Sequence, residues 1–225
     1  MQQRPLTVDA VIPARDAAAT LPEVLSRLPM RQLRSVVVVD SASRDATSAI
    51  ARDAGALVLR ESRGGIGAAC LHAIAHLSSL PEPPGVVVFV PADGRADPAD
   101  LPLLLAPIAD GSAELAIGVR DRGAPLGERV VVGLIRAVYR HQFHDLGPMR
   151  AVRFPALIAL GMSDRGSGWD VEMSVRALKL GLAIAEVPVA GKELARGRLG
   201  PHRAVFAAAA GGRSLFHILR HATMR

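Results

Sequence analysis

The sequence predicts an α/β fold whose mostly parallel mixed sheet is doubly wound and flanked by helices. Short apolar runs rich in β-branched residues alternate with helical patterns over the first 120 residues. The run at 35–39 is almost continuously apolar, as in parallel strands that are covered on both faces. Because strands and helices alternate, a doubly wound sheet is expected, and such sheets bind ligands beyond the carboxyl ends of their strands.

The elements of this half follow one another regularly. Thr20 and Glu23 match a capping box before the first helix. Asp97 matches a helix N-cap, with Pro98 at the first helical position. The pattern predicts strands at 8–12, 35–39, 56–59, 86–90 and 114–117, and helices at 21–28, 46–54, 66–80 and 98–110.

Beyond residue 120 the alternation is less regular. Residues 144–150 are expected to form a polar loop. The pattern also predicts helices at 130–141, 169–180 and 205–221, and a strand at 184–189. Because there is neither an internal repeat nor a long linker, a single domain over 1–225 is expected.

Composition narrows the class of partner. The net charge of +6 and the pI near 10.8 favour an anionic partner, such as a nucleotide diphosphate, a phospholipid surface or a nucleic acid. A nucleic acid is disfavoured because aromatic residues form only 3% of the chain and no zinc-finger spacing occurs. The single cysteine, Cys70, excludes an intrachain disulfide and fits a reducing compartment.

Signals for export or membrane insertion are not found in the sequence. The start, MQQRPLTVDAVIPAR, lacks the apolar run of a signal peptide. No stretch reaches the roughly 20 apolar residues of a membrane span. We therefore expect a cytoplasmic protein that is soluble or peripheral at the inner face of the membrane.

Eight short stretches occur in a characteristic order. They are VIPARD (11–16), VVVVDSASRDAT (36–47), RGGIGAA (63–69), VVVFVPADGRADP (86–98), AIGVR (116–120), HDLGPMRAVR (144–153), GWDVEM (168–173) and EVPV (186–189). Each is unspecific alone, but their order and spacing resemble family 2 glycosyltransferases of the GT-A fold. The pair HDLGPMRAVR and GWDVEM is most similar to the dolichyl- and polyprenyl-phosphate mannose or glucose synthases.

This resemblance, which covers roughly 8–198, implies a Rossmann-like GT-A fold and an inverting hexosyl transfer. The donor would be a nucleotide sugar such as UDP-glucose or GDP-mannose, and the acceptor a polyprenyl phosphate. Residues 1–120 would form the nucleotide-binding half, 121–200 the acceptor half and 201–225 a C-terminal helical tail.

The resemblance also implies a nucleotide site at the strand ends. The Asp40 carboxylate would accept a hydrogen bond from the nucleobase imide; the alternative is a helix N-cap, which Ser43 or Asp45 fits better. The family usually continues Asp-Asp-Gly-Ser, where this chain has DSAS at 40–43. Gly67 opens a helix whose N-terminus favours a phosphate. The implied nucleotide-binding residues are Pro13, Ala14, Asp16, Asp40, Arg63, Gly67, Ala92 and Asp93.

The expected metal site departs from the family pattern. The family usually has Asp-x-Asp, two carboxylates that hold Mg²⁺ or Mn²⁺ against a diphosphate, and Pro91 replaces the first of them. Asp93 would hold the metal alone, with Asp97 as a substitute ligand or a helix cap. Arg95 adds a cation that would neutralise diphosphate charge directly, and simple decay of the site is the alternative.

The acceptor site is implied by cations and carboxylates of the second half. Arg150 suits a phosphate by bidentate donation, whereas a surface position or a pair with Asp145 is the alternative. The basic segment after EVPV lacks the family's Ser-Lys, and it would also suit an anionic membrane surface. The implied acceptor-binding residues are Arg120, Asp145, Arg150, Lys192, Arg196 and Arg198.

Asp170 and Glu172 occupy the place where many family 2 enzymes carry a catalytic carboxylate. A hydroxyl acceptor needs a general base, whereas a phosphate acceptor is already an anion. The alternative is that both acids complement the dipole of their helix.

Two other classes of function remain. A non-catalytic nucleotide-sugar-binding protein is the main alternative, because Pro91, the altered Asp40 loop and the missing Ser-Lys all weaken the site. A sugar nucleotidyltransferase is disfavoured because VIPARDAAAT lacks the Gly-rich loop that follows the first strand in those enzymes.

Overall fold

The computed structural model describes residues 6–62, 64–120 and 126–190. Its strands are Val8–Ala14 (β1), Ser35–Asp40 (β2), Leu57–Arg60 (β3), Val86–Phe89 (β4), Leu115–Arg120 (β5), Met149–Arg153 (β6) and Ile184–Val189 (β7). Its α-helices are Leu21–Ser26 (α1), Thr47–Asp53 (α2), Ile66–Ser78 (α3), Leu101–Ala109 (α4), Leu126–Tyr139 (α5), Phe154–Leu160 (α6) and Trp169–Leu180 (α7).

The strands form one sheet in the order β3-β2-β1-β4-β6-β5-β7. Strand β6 is antiparallel to β4 and β5, and all other neighbours are parallel. The predicted α/β class, with a mostly parallel mixed sheet flanked by helices, is confirmed.

Helices cover both faces of the sheet, which explains the near-continuous apolar strands. Successive side chains of a strand point to opposite faces, so Val11 joins one apolar cluster while Ala10 and Ile12 join the other. The first cluster includes residues of α3, α6 and α7, and the second includes residues of α1 and α4. Small aliphatic side chains dominate both, as the low aromatic content requires.

The structure differs from the sequence prediction in several places, and one of them is helix α6, which the pattern did not predict. The chain from 144 to 150 is not all loop, because Met149 and Arg150 begin β6 and pair with Gly118 and Ile117 of β5. The capping box at Thr20 is wrong: its hydroxyl makes no cap bond and instead donates to the carbonyl of Ala92 at 2.7 Å.

The strand order creates a switch point between β1 and β4. From β1 the chain moves outward through β2 to β3, and it then returns to place β4 on the other side of β1. Doubly wound sheets bind ligands in the crevice at such points, outside the carboxyl ends of the strands. The predicted tail at 201–225 lies outside the described residues, and the division into two halves stays a prediction.

Candidate active site

Asp40 ends β2 at the edge next to the switch point. Its side chain is 3% exposed, and one oxygen accepts the backbone N–H of Ser43 at 2.9 Å while the other accepts the Ser48 hydroxyl. Burial raises the pKa of Asp40, but these hydrogen bonds outweigh it and lower the pKa below its usual value. The Ser43 hydroxyl is a further donor to Asp40, and a carboxylate has about four acceptor positions in all, so capacity for another bond remains. Asp40 is therefore an ionised acceptor held in a fixed orientation.

The loops after β1 and β2 are joined to each other. Asp16 accepts the backbone N–H of Arg44 at 2.8 Å, and its own N–H donates to the Ser43 hydroxyl at 2.9 Å. The Ala14 carbonyl accepts the N–H of Ser41 at 2.8 Å. Pro13 and Ala14 pair with Val39 and Asp40 in the sheet. These residues shape the crevice, and their direct contact with a nucleotide stays a prediction.

Ala42 explains how the loop after Asp40 tolerates DSAS in place of Asp-Asp-Gly-Ser. Its φ is 55°, a left-handed conformation that glycine adopts without strain and that costs another L-residue roughly 1–2 kcal/mol. The loop thus keeps the backbone shape that glycine would give it.

At the N-terminus of α3, the N–H groups of Gly67 and Ala68 are already engaged within the protein. The N–H of Gly67 donates to the Gly166 carbonyl at 3.1 Å, and the N–H of Ala68 donates to the Arg165 carbonyl at 3.0 Å. A Cβ at position 67 would lie 2.1 Å from the Asp164 carbonyl oxygen. Glycine is needed here for close packing of two loops, so the phosphate role of Gly67 is corrected. Arg63 lies outside the described residues.

The turn after β4 carries the expected metal position. Asp93 is 38% exposed, and its Oδ1 lies 3.2 Å from both the backbone N–H nitrogen and the Nε of Arg95. The neighbouring Ala92 carbonyl accepts the Thr20 hydroxyl. Asp97 caps the short 3₁₀ turn before α4, accepting the N–H of Ala99 at 3.1 Å, and it also pairs with Arg27. The N-cap prediction for Asp97 is confirmed.

Arg120 at the end of β5 is held by two carboxylates. Its Nε lies 2.6 Å from Asp145 Oδ2, and one terminal nitrogen lies 2.6 Å from Glu128 Oε2. Asp145 is fully buried, whereas Arg120 is 19% and Glu128 33% exposed. The structure thus brings together two of the predicted acceptor residues, Arg120 and Asp145, and it adds Glu128, which the sequence did not indicate.

Glu128 and Asp145 also share a hydrogen bond, so they titrate as a pair. Burial, followed by the bond to Asp145, raises the pKa of Glu128 to about 7, although Arg120 opposes the shift. Burial also acts to raise the pKa of Asp145, but bonds from Arg120 and Glu128 outweigh it and lower that pKa. The raised pKa marks Glu128 as the protonated member of the pair at mildly acidic pH.

Arg150 is too deeply buried to hold an acceptor phosphate by both terminal nitrogens. It is 1% exposed, and its terminal nitrogens donate to the Ser174 hydroxyl at 3.0 Å and to the Leu146 carbonyl. Its Nε lies 3.5 Å from Asp170 Oδ1 without a well-aligned hydrogen bond. The structure therefore corrects the acceptor role of Arg150 and makes it a positioning partner of Asp170, which is 36% exposed.

Glu172 holds the loop before α7. It is fully buried and accepts the backbone N–H groups of Ser163 and Asp164, the Ser163 hydroxyl, and the Nε of Arg176 at 3.0 Å. Burial raises the pKa of Glu172, but these donors outweigh it and lower the pKa. Of the two predicted catalytic carboxylates, Asp170 is therefore the more exposed, and a catalytic role for either stays a prediction.

Comparison with known proteins decides the family. The family model described as Glycosyl transferase family 2 matches residues 9–154, which is more than half of the chain. The chain belongs to glycosyl transferase family 2. The predicted enzyme class, a glycosyltransferase, is confirmed.

Two relatives support this assignment. An uncharacterized glycosyltransferase of Mycobacterium tuberculosis is 36% identical over 190 residues, which cover 81% of this chain and 84% of that protein. The undecaprenyl-phosphate mannosyltransferase of Micrococcus luteus is 30% identical over 212 residues, which cover 82% of this chain and 83% of that protein.

A solved structure shows the same fold. The glucosyl-3-phosphoglycerate synthase of Mycobacterium tuberculosis is similar with a TM-score of 0.81 and 21% identity, over 98% of this chain and 82% of that chain. The predicted GT-A fold is thereby confirmed.

Several predicted features of this glycosyltransferase fall outside the described residues or stay untested. Lys192, Arg196 and Arg198 lie outside the described residues. No helix in the described ranges combines the length and the apolar character that crossing a membrane requires.

An apolar groove of about 480 Å³ between α1 and α2 includes Leu25, Met30 and Ile50, but it lies at the opposite edge of the sheet and contains none of the predicted site residues.

The residues at Asp93 fit a divalent metal only with help from a substrate. Within the part of the chain that the structure describes, no three His, Cys, Asp or Glu side chains are grouped to hold a metal ion. Mg²⁺ is often bound by one or two carboxylates together with substrate phosphates. Asp93 offers one carboxylate, Pro91 offers none, and Asp97 is engaged by Arg27.

Proposed function

We propose that this glycosyltransferase moves a hexose from a UDP- or GDP-linked sugar to a polyprenyl phosphate, with inversion at the anomeric carbon. The observation that carries the donor half is the placement of Asp40 and Asp93 around the switch point of the sheet. The acceptor half rests on the similarity to the undecaprenyl-phosphate mannosyltransferase of Micrococcus luteus.

In this proposal the loops after β1, β2 and β4 hold the nucleotide. Asp40 accepts the imide N–H of uracil or guanine with the acceptor capacity that its internal bonds leave. Pro13, Ala14, Asp16 and Ala92 form the backbone walls around the base and ribose.

Asp93 together with diphosphate oxygens would hold Mg²⁺ or Mn²⁺. The synthase of similar fold has been crystallised with Mn²⁺ and UDP and with Mg²⁺ and UDP. A bound ion would stabilise negative charge on the leaving diphosphate. The single carboxylate predicts weak metal affinity in the absence of nucleotide.

The acceptor would approach between Asp170 and the Arg120 cluster. A polyprenyl phosphate is already anionic, so no proton has to be removed and Asp170 would only position neighbouring groups. The cations at Lys192, Arg196 and Arg198 are proposed to hold the phosphate and to meet an anionic membrane surface.

A second candidate acceptor is a small molecule with a hydroxyl group. It is favoured by the partly exposed carboxylates of Asp170 and Glu128, because a hydroxyl must lose a proton during transfer. Among the acceptor residues that the structure describes, Arg120 is paired with two carboxylates and Arg150 is buried, which weakens the case for a phosphate there.

One experiment separates the two candidates. The enzyme is incubated with labelled UDP-glucose or GDP-mannose and either undecaprenyl phosphate in detergent or phosphoglycerate, and the products are separated by chromatography. Labelled lipid supports the first candidate, and a labelled water-soluble product supports the second. If no sugar is transferred to either acceptor or to water, the non-catalytic alternative is supported.

A further inference from the structure

Arg95 places a cation beside the one carboxylate of the Pro91-Ala92-Asp93 turn. The left-handed Gly94, with a φ of 71°, folds the chain back so that Arg95 Nε lies 3.2 Å from Asp93 Oδ1. That nitrogen is buried and has no aligned hydrogen bond, whereas the side chain as a whole is 34% exposed. The guanidinium is therefore held against Asp93 by charge without being locked by a directional bond.

The turn that contains Asp93 and Arg95 has the same net charge as an Asp-x-Asp motif with a bound divalent metal ion. Two carboxylates and a divalent cation sum to zero, and so do the Asp93 carboxylate and the Arg95 guanidinium. Because Pro91 removes one negative charge and Arg95 adds a positive one, the turn attracts a dication less strongly than Asp-x-Asp would. Without any metal, the turn therefore offers a diphosphate about the same net charge as an Asp-x-Asp motif does with its metal ion.

The neighbouring carboxylate does not restore a metal site. Asp97 is 7% exposed, pairs with Arg27 and accepts the N–H of Ala99. Arg95, in contrast, makes no hydrogen bond through its terminal nitrogens within the described residues. A guanidinium donates two parallel bonds to phosphate oxygens, which suits the diphosphate of a nucleotide.

We propose that Arg95 supplies the cation for the donor diphosphate, so that nucleotide binding does not depend on a divalent metal ion. The inference rests on the proposed donor site at the same strand edge. It extends that site by assigning a residue and by predicting how the metal requirement changes.

Calorimetric titration with UDP and with GDP tests this inference. Each nucleotide is titrated into wild type, Arg95→Gln and Arg52→Gln, in EDTA and again with Mn²⁺. Arg52 is an exposed cation in the last turn of α2 at the opposite edge, so it controls for net charge. We expect wild type and Arg52→Gln to bind one nucleotide with affinities that differ less than about threefold between the two conditions.

Removing the guanidinium should create a metal requirement. In EDTA, Arg95→Gln should bind the same nucleotide about tenfold more weakly than wild type, which is the usual size of a lost charged hydrogen bond, and Mn²⁺ should recover part of the loss. Arg95→Lys should bind more tightly in EDTA than Arg95→Gln but less tightly than wild type, because it retains the charge and loses the two parallel bonds. Circular dichroism shows whether each variant is folded.

Two results would overturn the role of Arg95 while leaving the proposed donor site intact, and a third would overturn the donor site itself. If wild type binds nucleotide only with Mn²⁺, or if Arg95→Gln matches wild type in EDTA, the site stands and the role of Arg95 is refuted. If neither nucleotide binds under any condition, the proposed donor site fails, and the inference fails with it.

Discussion

Two carboxylates that are two residues apart in α7 have opposite environments. Glu172 is fully buried with several donors, and Asp170 is partly exposed beside the buried Arg150. The sequence presents both as acids in a first helical turn, so it could not separate them. Only packing decides that Glu172 organises a loop while Asp170 stays partly exposed beside Arg150.

Glu172→Gln should lower the free energy of unfolding by about 2–4 kcal/mol, because a buried charged acceptor is lost while its donors remain. Asp170→Asn should cost less than Glu172→Gln, because Asp170 is 36% exposed and asparagine keeps a side-chain oxygen beside Arg150. Chemical denaturation of the two variants measures both values. An equal loss of stability in the two would contradict the structural role of Glu172.

Asp170→Asn also reports on the acceptor. If the acceptor is a hydroxyl, kcat should fall about 10²–10⁴-fold, the usual contribution of a general base. If it is a phosphate, the fall should be small, because no proton is removed. The measurement is the initial rate of labelled product formation with each acceptor.

Glu128 should make stability depend on pH. Its pKa is raised from 4.5 to about 7 by burial and by Asp145, with Asp170 adding to the shift and Arg120 opposing it. Its contribution is fully present below pH 4.5 and is lost as pH rises through 7. As pH rises from 4.5 to 7, the free energy of unfolding should therefore fall less for Glu128→Gln than for wild type. Urea denaturation at several pH values across this range measures the difference. Parallel pH profiles of the two proteins would show that Glu128 titrates normally.

At the scale of elements, the start of α3 and the loop before α7 form one unit. Gly65 and Gly67 pack against the backbone of 164–166, where a Cβ would come within 2.3 Å and 2.1 Å of carbonyl oxygens. The loop is in turn held by Glu172. From the local sequence alone, a glycine-rich turn at a helix start predicts a phosphate site. The carbonyls that occupy the N–H groups of Gly67 and Ala68 belong to a segment that is distant in the sequence, so the local pattern does not reveal them.

Gly67→Ala should destabilise the protein by about 1–3 kcal/mol, since the new methyl group meets backbone that cannot move freely. Gly133→Ala in α5 is the matched control, because no atom lies within 4 Å of its Cβ position. That change should stabilise by about 0.5–1 kcal/mol. Thermal or urea unfolding compares the two, and a neutral Gly67→Ala would contradict the packing of these loops.

The sequence predicts the parallel strands better than the antiparallel one. Strands β1, β2 and β4 are buried apolar runs between helices, so pattern alone finds them. Strand β6 has five residues and includes the charged Arg150 and Arg153, so its pattern resembles a loop. Its place between β4 and β5 is a matter of long-range pairing, which local pattern does not encode.

At the scale of the whole molecule, the fold brings together residues that are far apart in the sequence. The site at the carboxyl ends of β1, β2 and β4 could be predicted because these parallel strands end on the same side of the sheet. Asp40 is the last residue of β2, and Asp93 lies in the turn after β4. The burial of Arg150 and the partnership of Glu128 with Asp145 could not be predicted, because both depend on side chains from separate elements.

The most direct measurement is titration of wild type and Asp40→Asn with UDP-glucose and GDP-mannose, with Asp53→Asn at the exposed end of α2 as the control. We expect one nucleotide sugar to bind wild type and the control equally, and Asp40→Asn to bind it at least about tenfold more weakly while it remains folded. Equal binding by all three proteins, or no binding by wild type, would contradict a nucleotide-sugar site at this edge of the sheet.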